Sequence, residues 1–391
     1  MPGPSQFRLL TIHYGLYQLS AALGGGFIGA YLLKLGFGLP VALAAYAALL
    51  LARLGLRLAA LGIVRRVGLR GAMTLGAILA GFQFLALMWA EQPLWLAAWL
   101  LTVSVAESLY WPVYHSAAAV TGGASRGKEL GIRTSVGSLV GVFGPLAGGF
   151  LLERHGPEIG FGIACALSVL SVLPILRMRA IEAGPIPSLR ASVRGIDRRG
   201  MLTFAADGWM SSGLTIAWPM VLFLALGSHF EGFGVANAGA GLIGAATGLI
   251  CGRGIDRGNR DRYLLLVTWA LGLGFALRAC AGWSTLAATT ANATGAAVMG
   301  LYVPVVMSLI YDRAKQSGAA FRFHFAAEAG WDVGAALGCL AAVGVASLTS
   351  VPSLVVLPAA LGVAATYLCV RRAGEHAPSF RYPDVALAPS P

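Results

Sequence analysis

Charge is scarce in this chain. Only 11% of its 391 residues are Asp, Glu, Lys or Arg, against about 25% in a soluble globular protein. That shortage excludes an ordinary water-facing surface. Lysine is nearly missing: Lys34, Lys128 and Lys315 are its three instances, and every other basic residue is Arg. With so much Ala and Gly, this bias is that of a GC-rich bacterial genome. The five cysteines (Cys165, Cys251, Cys280, Cys339, Cys369) all lie in or at the edge of apolar runs, which excludes a disulfide framework. The six histidines are scattered without paired ligand spacing, so no metal site is expected. There is no phosphate loop and no nucleotide domain. "GAGLIG" at 239–244 has the spacing of a dinucleotide fingerprint, but it lies inside an apolar run with no preceding strand, which that fingerprint requires. Gly244 and Gly248 read as helix packing. "NAT" at 292–294 spells a glycosylation acceptor inside another apolar run. No cofactor and no enzyme activity are expected. The first apolar run is too long for a cleavable signal peptide and has no small-residue cleavage site.

What the chain does have is long hydrophobic runs. A bilayer core needs around 20 apolar residues per helical span. Twelve runs meet that length, over about 9–33, 38–63, 72–90, 94–119, 131–153 and 159–178, then 200–227, 233–252, 263–283, 286–311, 322–347 and 352–371. The chain reads as an all-α polytopic membrane protein embedded in a lipid bilayer.

The net charge of +12 is distributed by topology. Basic residues gather at the termini and in the even-numbered connections, such as "RRVGLR", "ASRGKELGIR" and "GRGIDRGNRDR". Lys34 and Arg154 fall in other connections, and Arg53, Arg57 and Arg278 lie inside spans. By the positive-inside rule, both termini face the cytoplasm, across a bacterial inner membrane. The same distribution removes nucleic acid as the reason for the basic excess.

One octapeptide occurs nearly twice. "LYWPVYHS" at 109–116 and "LYVPVVMS" at 301–308 are 192 positions apart, with a proline (Pro112, Pro304) in each. At the same offset "LLTIHYGLYQLS" from Leu9 falls on "MLTFAADGWMSS" from Met201, and the basic loop after span two falls on that after span eight. Three landmarks on one offset indicate a duplication. The organisation that follows is a six-helix bundle over 1–178, a basic linker over 179–199, a second six-helix bundle over 200–372, and a tail over 373–391. The linker reads as a tether.

Twelve spans, a basic central loop and a Gly-Asp-Arg turn after span eight resemble the major facilitator superfamily. The cytoplasmic signature is well kept in the second repeat as "GRGIDRGNR", with Gly252, Asp256, Arg257 and Arg260. In the first it is degenerate: Arg65 stands where the acidic residue belongs, followed by Arg66 and Gly68. In span five, "GVFGPLAGGFL" at 141–151 is similar to a Gly-Pro-x-x-Gly-Gly signature of exporters and antiporters in that family, through Gly141, Gly144, Pro145, Gly148 and Gly149. Independently of any family, Gly137, Gly141, Gly144 and Gly148 share a helical face that lets a neighbouring backbone approach. Pro145 frees one carbonyl, which a membrane helix tolerates where neighbours satisfy it.

The resemblance implies a secondary transporter made of parallel repeats, with a central cavity lined by spans 1, 4, 7 and 10, working by alternating access. Tyr110, Trp111, Tyr114 and His115 in span four, Tyr302 in span ten, Tyr17 and Gln18 in span one, and Trp209 in span seven are then lining candidates. An aromatic, mostly neutral lining suits a small amphipathic or aromatic organic molecule. Proton-coupled export is the expectation, by a monomer. The alternatives are proton-coupled import of a nutrient or organic anion with Arg53 as a ligand, and a membrane sensor or assembly factor that does not transport.

Charges inside spans are costly and functional by default. Glu107 in span four and Asp207 in span seven are proton-coupling candidates, since a carboxylate in low dielectric can load and release a proton near neutral pH. Arg278, near the far end of span nine, reads as snorkelling. His115 reads as a packed or hydrogen-bonded histidine. Arg53 and Arg57 in span two, and Glu328 and Asp332 in span eleven, are each spaced i, i+4 and so share a helix face. Their depths pair Arg57 with Glu328 and Arg53 with Asp332, with Glu107 competing for Arg53. The resemblance implies that spans two and eleven face each other, which makes these residues a charge latch between the halves.

Overall fold

The computed structural model describes residues 4–121, 126–193, 197–255 and 260–375. Among them there is no strand, and helix follows helix. The helices are α1 (Pro4–Leu23), α2 (Ile28–Lys34), α3 (Leu39–Leu87), α4 (Pro93–Thr121), α5 (Arg126–Arg154), α6 (Gly156–Leu170), α7 (Val172–Leu176) and α8 (Leu189–Val193). They continue as α9 (Arg198–Ser211), α10 (Trp218–Ala225), α11 (Phe230–Ile255), α12 (Arg260–Ala279), α13 (Thr285–Gln316), α14 (Ala320–Leu348) and α15 (Ala360–Glu375). Nine segments among the described residues are long and apolar enough to cross a membrane. This is a multi-pass helical membrane protein. One of the nine, α3, is 49 residues long and contains the second and third sequence-predicted spans, divided at Gly68. There φ is +73°, a left-handed geometry that only glycine adopts without strain. The degenerate signature is therefore a kink with Arg65 and Arg66 exposed, while Arg70 Nη1 donates to the Met178 carbonyl at 2.6 Å. Asp256 and Arg257 of the second signature lie outside the described residues, and Gly252 and Arg260 sit in the helices on either side. Predicted spans eight and ten coincide with α11 and α13.

The duplication has a structural counterpart at the same offset. Gly36, after α2, has φ +93°, and Ser228, after α10, has φ +61°. They are 192 positions apart. Helix irregularity recurs too: a 3-10 turn at Gly25–Phe27 separates α1 from α2, and a π-helical stretch at Ser212–Ala217 separates α9 from α10. Single π turns inside helices are frequent at functional sites.

Successive long helices alternate in direction, so the linker, the Gly68 kink and the α13–α14 turn share one face, here called the linker face. Described residues of the linker make contacts there. The Ala183 carbonyl accepts from Phe321 N at 3.1 Å, and the Ala191 carbonyl from Arg322 Nη2 at 2.7 Å. Asp197 caps α9 through Arg199 N at 3.2 Å and takes Arg313 in a two-pronged ion pair at 2.6 and 2.9 Å. The far face carries Lys34 Nζ donating to the Ser228 carbonyl at 3.1 Å and the exposed Arg154–Glu231 pair at 3.2 Å.

Candidate functional site

The two most extensive contacts between the repeats, among the described residues, occupy equivalent positions. The first is between α5 and α11. A Cβ on Gly149 or Gly234 would strike the facing backbone, at the Phe230 and Pro145 carbonyls respectively, and one on Gly241 would meet the Gly141 carbonyl at 2.5 Å. That carbonyl is the one Pro145 leaves without its helical donor. Gly144 and Gly148 instead press on Ala22 and Leu23 of α1. The four glycines read as one packing face therefore divide. Gly144 and Gly148 serve α1, while Gly137 and Gly141 have open space where a Cβ would go. A glycine period places residues on a face but does not say which neighbour covers it.

The second contact, between α3 and α14, is ionic. Asp332 is fully buried, and its two oxygens receive Arg53 and Arg57. Arg53 also pairs with Glu107 on α4 through Nη1. Its guanidinium lies 5.0 Å over the Trp331 ring, and that of Arg57 lies 5.9 Å over Phe325. Ser104 and Ser108 of α4 bond the Leu49 and Arg53 carbonyls at 3.0 and 3.2 Å, holding α4 to α3.

The expected Arg57–Glu328 pair is not made; Arg57 goes to Asp332 instead. Direction along the helix accounts for the shift. Side chains lean toward the N-terminus of their own helix, and α3 and α14 run oppositely. The long Arg side chains thus reach away from the linker face, while the carboxylates lean toward it. Pairing moves by one turn, and Glu328 is left behind. Its Oε1 stands 3.7 Å from His115 Nε2. His115 Nδ1 lies 3.0 Å from the Tyr311 hydroxyl, and its ring stacks on Trp111 and on His324 with centroids 5.4 Å apart in each case. His324 is fully buried, with neither ring nitrogen hydrogen-bonded among the described residues.

Aromatic residues gather beside this network. Tyr17 stacks on Tyr110 with centroids 3.9 Å apart and meets Trp111 edge-on. Tyr114 stacks on Tyr14 at 5.3 Å. His13 spans from the Ser171 carbonyl at 2.8 Å to the Tyr110 hydroxyl at 2.9 Å. In the second repeat the matching tyrosine, Tyr302, donates to Asp207 at 2.5 Å, and Trp331 Nε1 donates to its other oxygen at 3.1 Å. Asp207 is thereby linked through Trp331 to Arg53. Gln18 is half-buried on α1 and makes no hydrogen bond to the cluster among the described residues. Trp209 does not join it either: Nε1 donates to the Pro358 carbonyl at 2.8 Å, turning the ring toward the Pro352–Ala359 turn. The sequence reading missed His13, Tyr14, Tyr311, His324 and Trp331. For His324 a signal was present, since 324, 328 and 332 follow i, i+4, i+8 on one helix face.

No disulfide joins the four cysteines whose side chains are described, and no cluster of metal-binding side chains occurs among the described residues.

Neither a family model nor a curated protein matches the sequence. Solved structures do match the fold over nearly its whole length. An auto-inhibited peptide transporter of the POT family superposes with TM-score 0.70 at 11% identity, over 96% of this chain and 98% of its own. The D-xylose–proton symporter gives TM-score 0.67 at 12% identity, over 96% and 98%. The major facilitator superfamily transporter FucP, in its outward conformation, gives 0.66 at 13%, over 95% and 99%. The fold is that of major facilitator superfamily transporters.

Proposed function

We propose that this protein is a secondary active transporter, not an enzyme, that moves a small amphipathic or aromatic organic molecule by proton-coupled alternating access. The observation that carries this reading is the buried charge cluster on the repeat boundary, where Asp332 is held by Arg53 and Arg57 and Arg53 by Glu107. Such a cluster is weak as a stabiliser, because desolvation offsets the attraction. It suits a contact that forms and releases. The halves 1–178 and 200–372, with twelve crossings between them, are the moving bodies, and the linker 179–199 and tail 373–391 lie in the cytoplasm of a bacterial cell. The protein works as a monomer in the inner membrane.

Among the carboxylates, Glu107 is engaged by Arg53, and Asp207 by two neutral donors. Both remain coupling candidates. Glu328, with no arginine on it and a histidine 3.7 Å away, joins them. The helix-five motif supports export. An importer that uses Arg53 as a substrate ligand would need Arg53 to leave two carboxylates.

Purified protein screened for thermal stabilisation by organic solutes, then reconstituted in vesicles, tests the reading. A stabilising solute is expected to drive proton flux, and the sign of the flux separates export from import. Glu107→Gln, Asp207→Asn and Glu328→Gln are each to be compared with wild type; at least one should bind solute but lose proton-driven accumulation. Accumulation against a gradient by all three variants would remove proton coupling through these groups.

A further inference from the structure

Arg278, near the far-face end of α12, does not snorkel. It is 4% exposed, and its guanidinium points inward, 5.1 Å over the Trp218 ring and 5.8 Å from that of Phe275. Its Nε is buried without a hydrogen-bond partner, and among the described residues no carboxylate or other acceptor pairs with the group. Among the described residues the other arginines buried in spans are answered: Arg53 and Arg57 by Asp332, and Arg322 by the Ala191 carbonyl. Cation–π contact offsets only part of the cost of desolvating a guanidinium. The five donors of its planar fork match a carboxylate or phosphate.

The surroundings are shaped for this side chain. Gly295 and Gly274 flank it, and a Cβ on Gly295 would collide with the guanidinium. Trp218 is oriented by its Nε1 donating to Asn292 Oδ1 at 2.9 Å, while Asn292 Nδ2 donates to the Ala236 carbonyl at 3.2 Å. Trp218 also begins α10, directly after the π-helical stretch. None of this is required by the architecture. At the repeat offset the counterparts of Arg278, Trp218, Asn292 and Gly295 are Ala86, Gly26, Leu100 and Val103, and the first repeat fills that place with apolar or small side chains. A buried cation present in one repeat only, with aromatic walls and no counter-charge, points to a ligand.

We infer that Arg278, Trp218 and Phe275 form a binding site between α10, α12 and α13 for a monoanionic oxyanion head carrying an apolar body. An anionic phospholipid phosphate and a soluble aryl carboxylate share this chemistry. The site is separate from the Arg53–Asp332 cluster and does not depend on the transport reading.

The test uses the full-length purified chain. Its Tm is compared in nanodiscs of phosphatidylcholine with and without phosphatidylglycerol, and in detergent with benzoate against its uncharged isostere benzamide. Phosphatidylglycerol alone raising the Tm assigns the site to lipid, and benzoate raising it where benzamide does not assigns it to a soluble acid. Arg278→Gln should weaken the effective anion by about tenfold or more, and Arg278→Lys should retain part of the effect as a point charge without the fork. Native mass spectrometry of the phosphatidylglycerol-containing sample should show retained lipid in wild type and less in Arg278→Gln if lipid is the source. If neither anion shifts the wild-type Tm beyond its neutral control, the inference fails, whatever the variants do. It also fails if Arg278→Gln folds and responds to the anion as wild type does.

Discussion

The α5–α11 and α3–α14 contacts occupy matching places in the two repeats and use unrelated chemistry. At the first, Gly149, Gly234 and Gly241 bring backbone against backbone. At the second, Arg53, Arg57 and Asp332 meet in a buried cluster that Glu107 of α4 joins from its edge. Close-packed glycine helices owe their attraction to dispersion over a fitted surface, which a small tilt degrades gradually. A buried ion pair is either made or leaves charges unpaired at high cost. On the proposed transport reading, the glycine seam would act as a pivot and the ionic seam as a two-position catch.

The comparison is broken most severely at Asp332. Asp332→Asn leaves Arg57 buried with no carboxylate and Arg53 with Glu107 alone. Removing one partner of such a cluster should cost about 3–5 kcal/mol, read as a large fall in Tm in detergent and loss of transport. Replacing Arg57 and Asp332 together by Met and Leu should recover much of the Tm while transport stays lost. If the single and double variants are equally unstable, the cluster is structural and not a catch.

Steric damage to the glycine seam comes next. Gly234→Leu drives a side chain into the Pro145 carbonyl and should cost about 1–3 kcal/mol through overpacking. Its Tm should fall while the ionic cluster persists. Retained transport in a well-folded Gly234→Leu protein would show that close approach of α5 and α11 is dispensable for the pivot.

The smallest effect belongs to the exposed pair that ends the glycine seam on the far face. Arg154 and Glu231 are 62% and 44% exposed in their side chains, and pairs of this kind contribute about 0–1 kcal/mol. Arg154→Ala should leave Tm and transport near wild type. A loss comparable with that of Asp332→Asn would mean the far face carries a catch of its own.

Much of the site could be read before the fold. Tyr110 and Tyr302 were marked by the repeated octapeptide, and Arg53, Arg57, Glu107 and Asp332 by being charged where charge is expensive. What could not be read was rotation and reach. Depth counted along a helix put Arg57 level with Glu328, but opposite lean of the two side chains moved it to Asp332. Trp209 sits at the repeat position of Tyr17, yet its indole turns to the Pro358 carbonyl. Arg278 lay close enough to a helix end to reach water, and only the packing of α10 and α13 turned it inward.

The sequence by itself determined the class of structure: apolar runs of bilayer length, a polarity of basic loops, and landmarks repeated at an offset of 192 positions. These properties are local or periodic, and a linear pattern carries them in full. Tertiary structure decided the partners. Which helix covers Gly148 and which covers Gly149, which carboxylate receives both Arg53 and Arg57, and that Glu328 faces His115 instead all depend on azimuth and side-chain direction between helices far apart in sequence. Residues 279 positions apart, such as Arg53 and Asp332, meet only after the two repeats have packed, and no spacing within either repeat encodes that meeting.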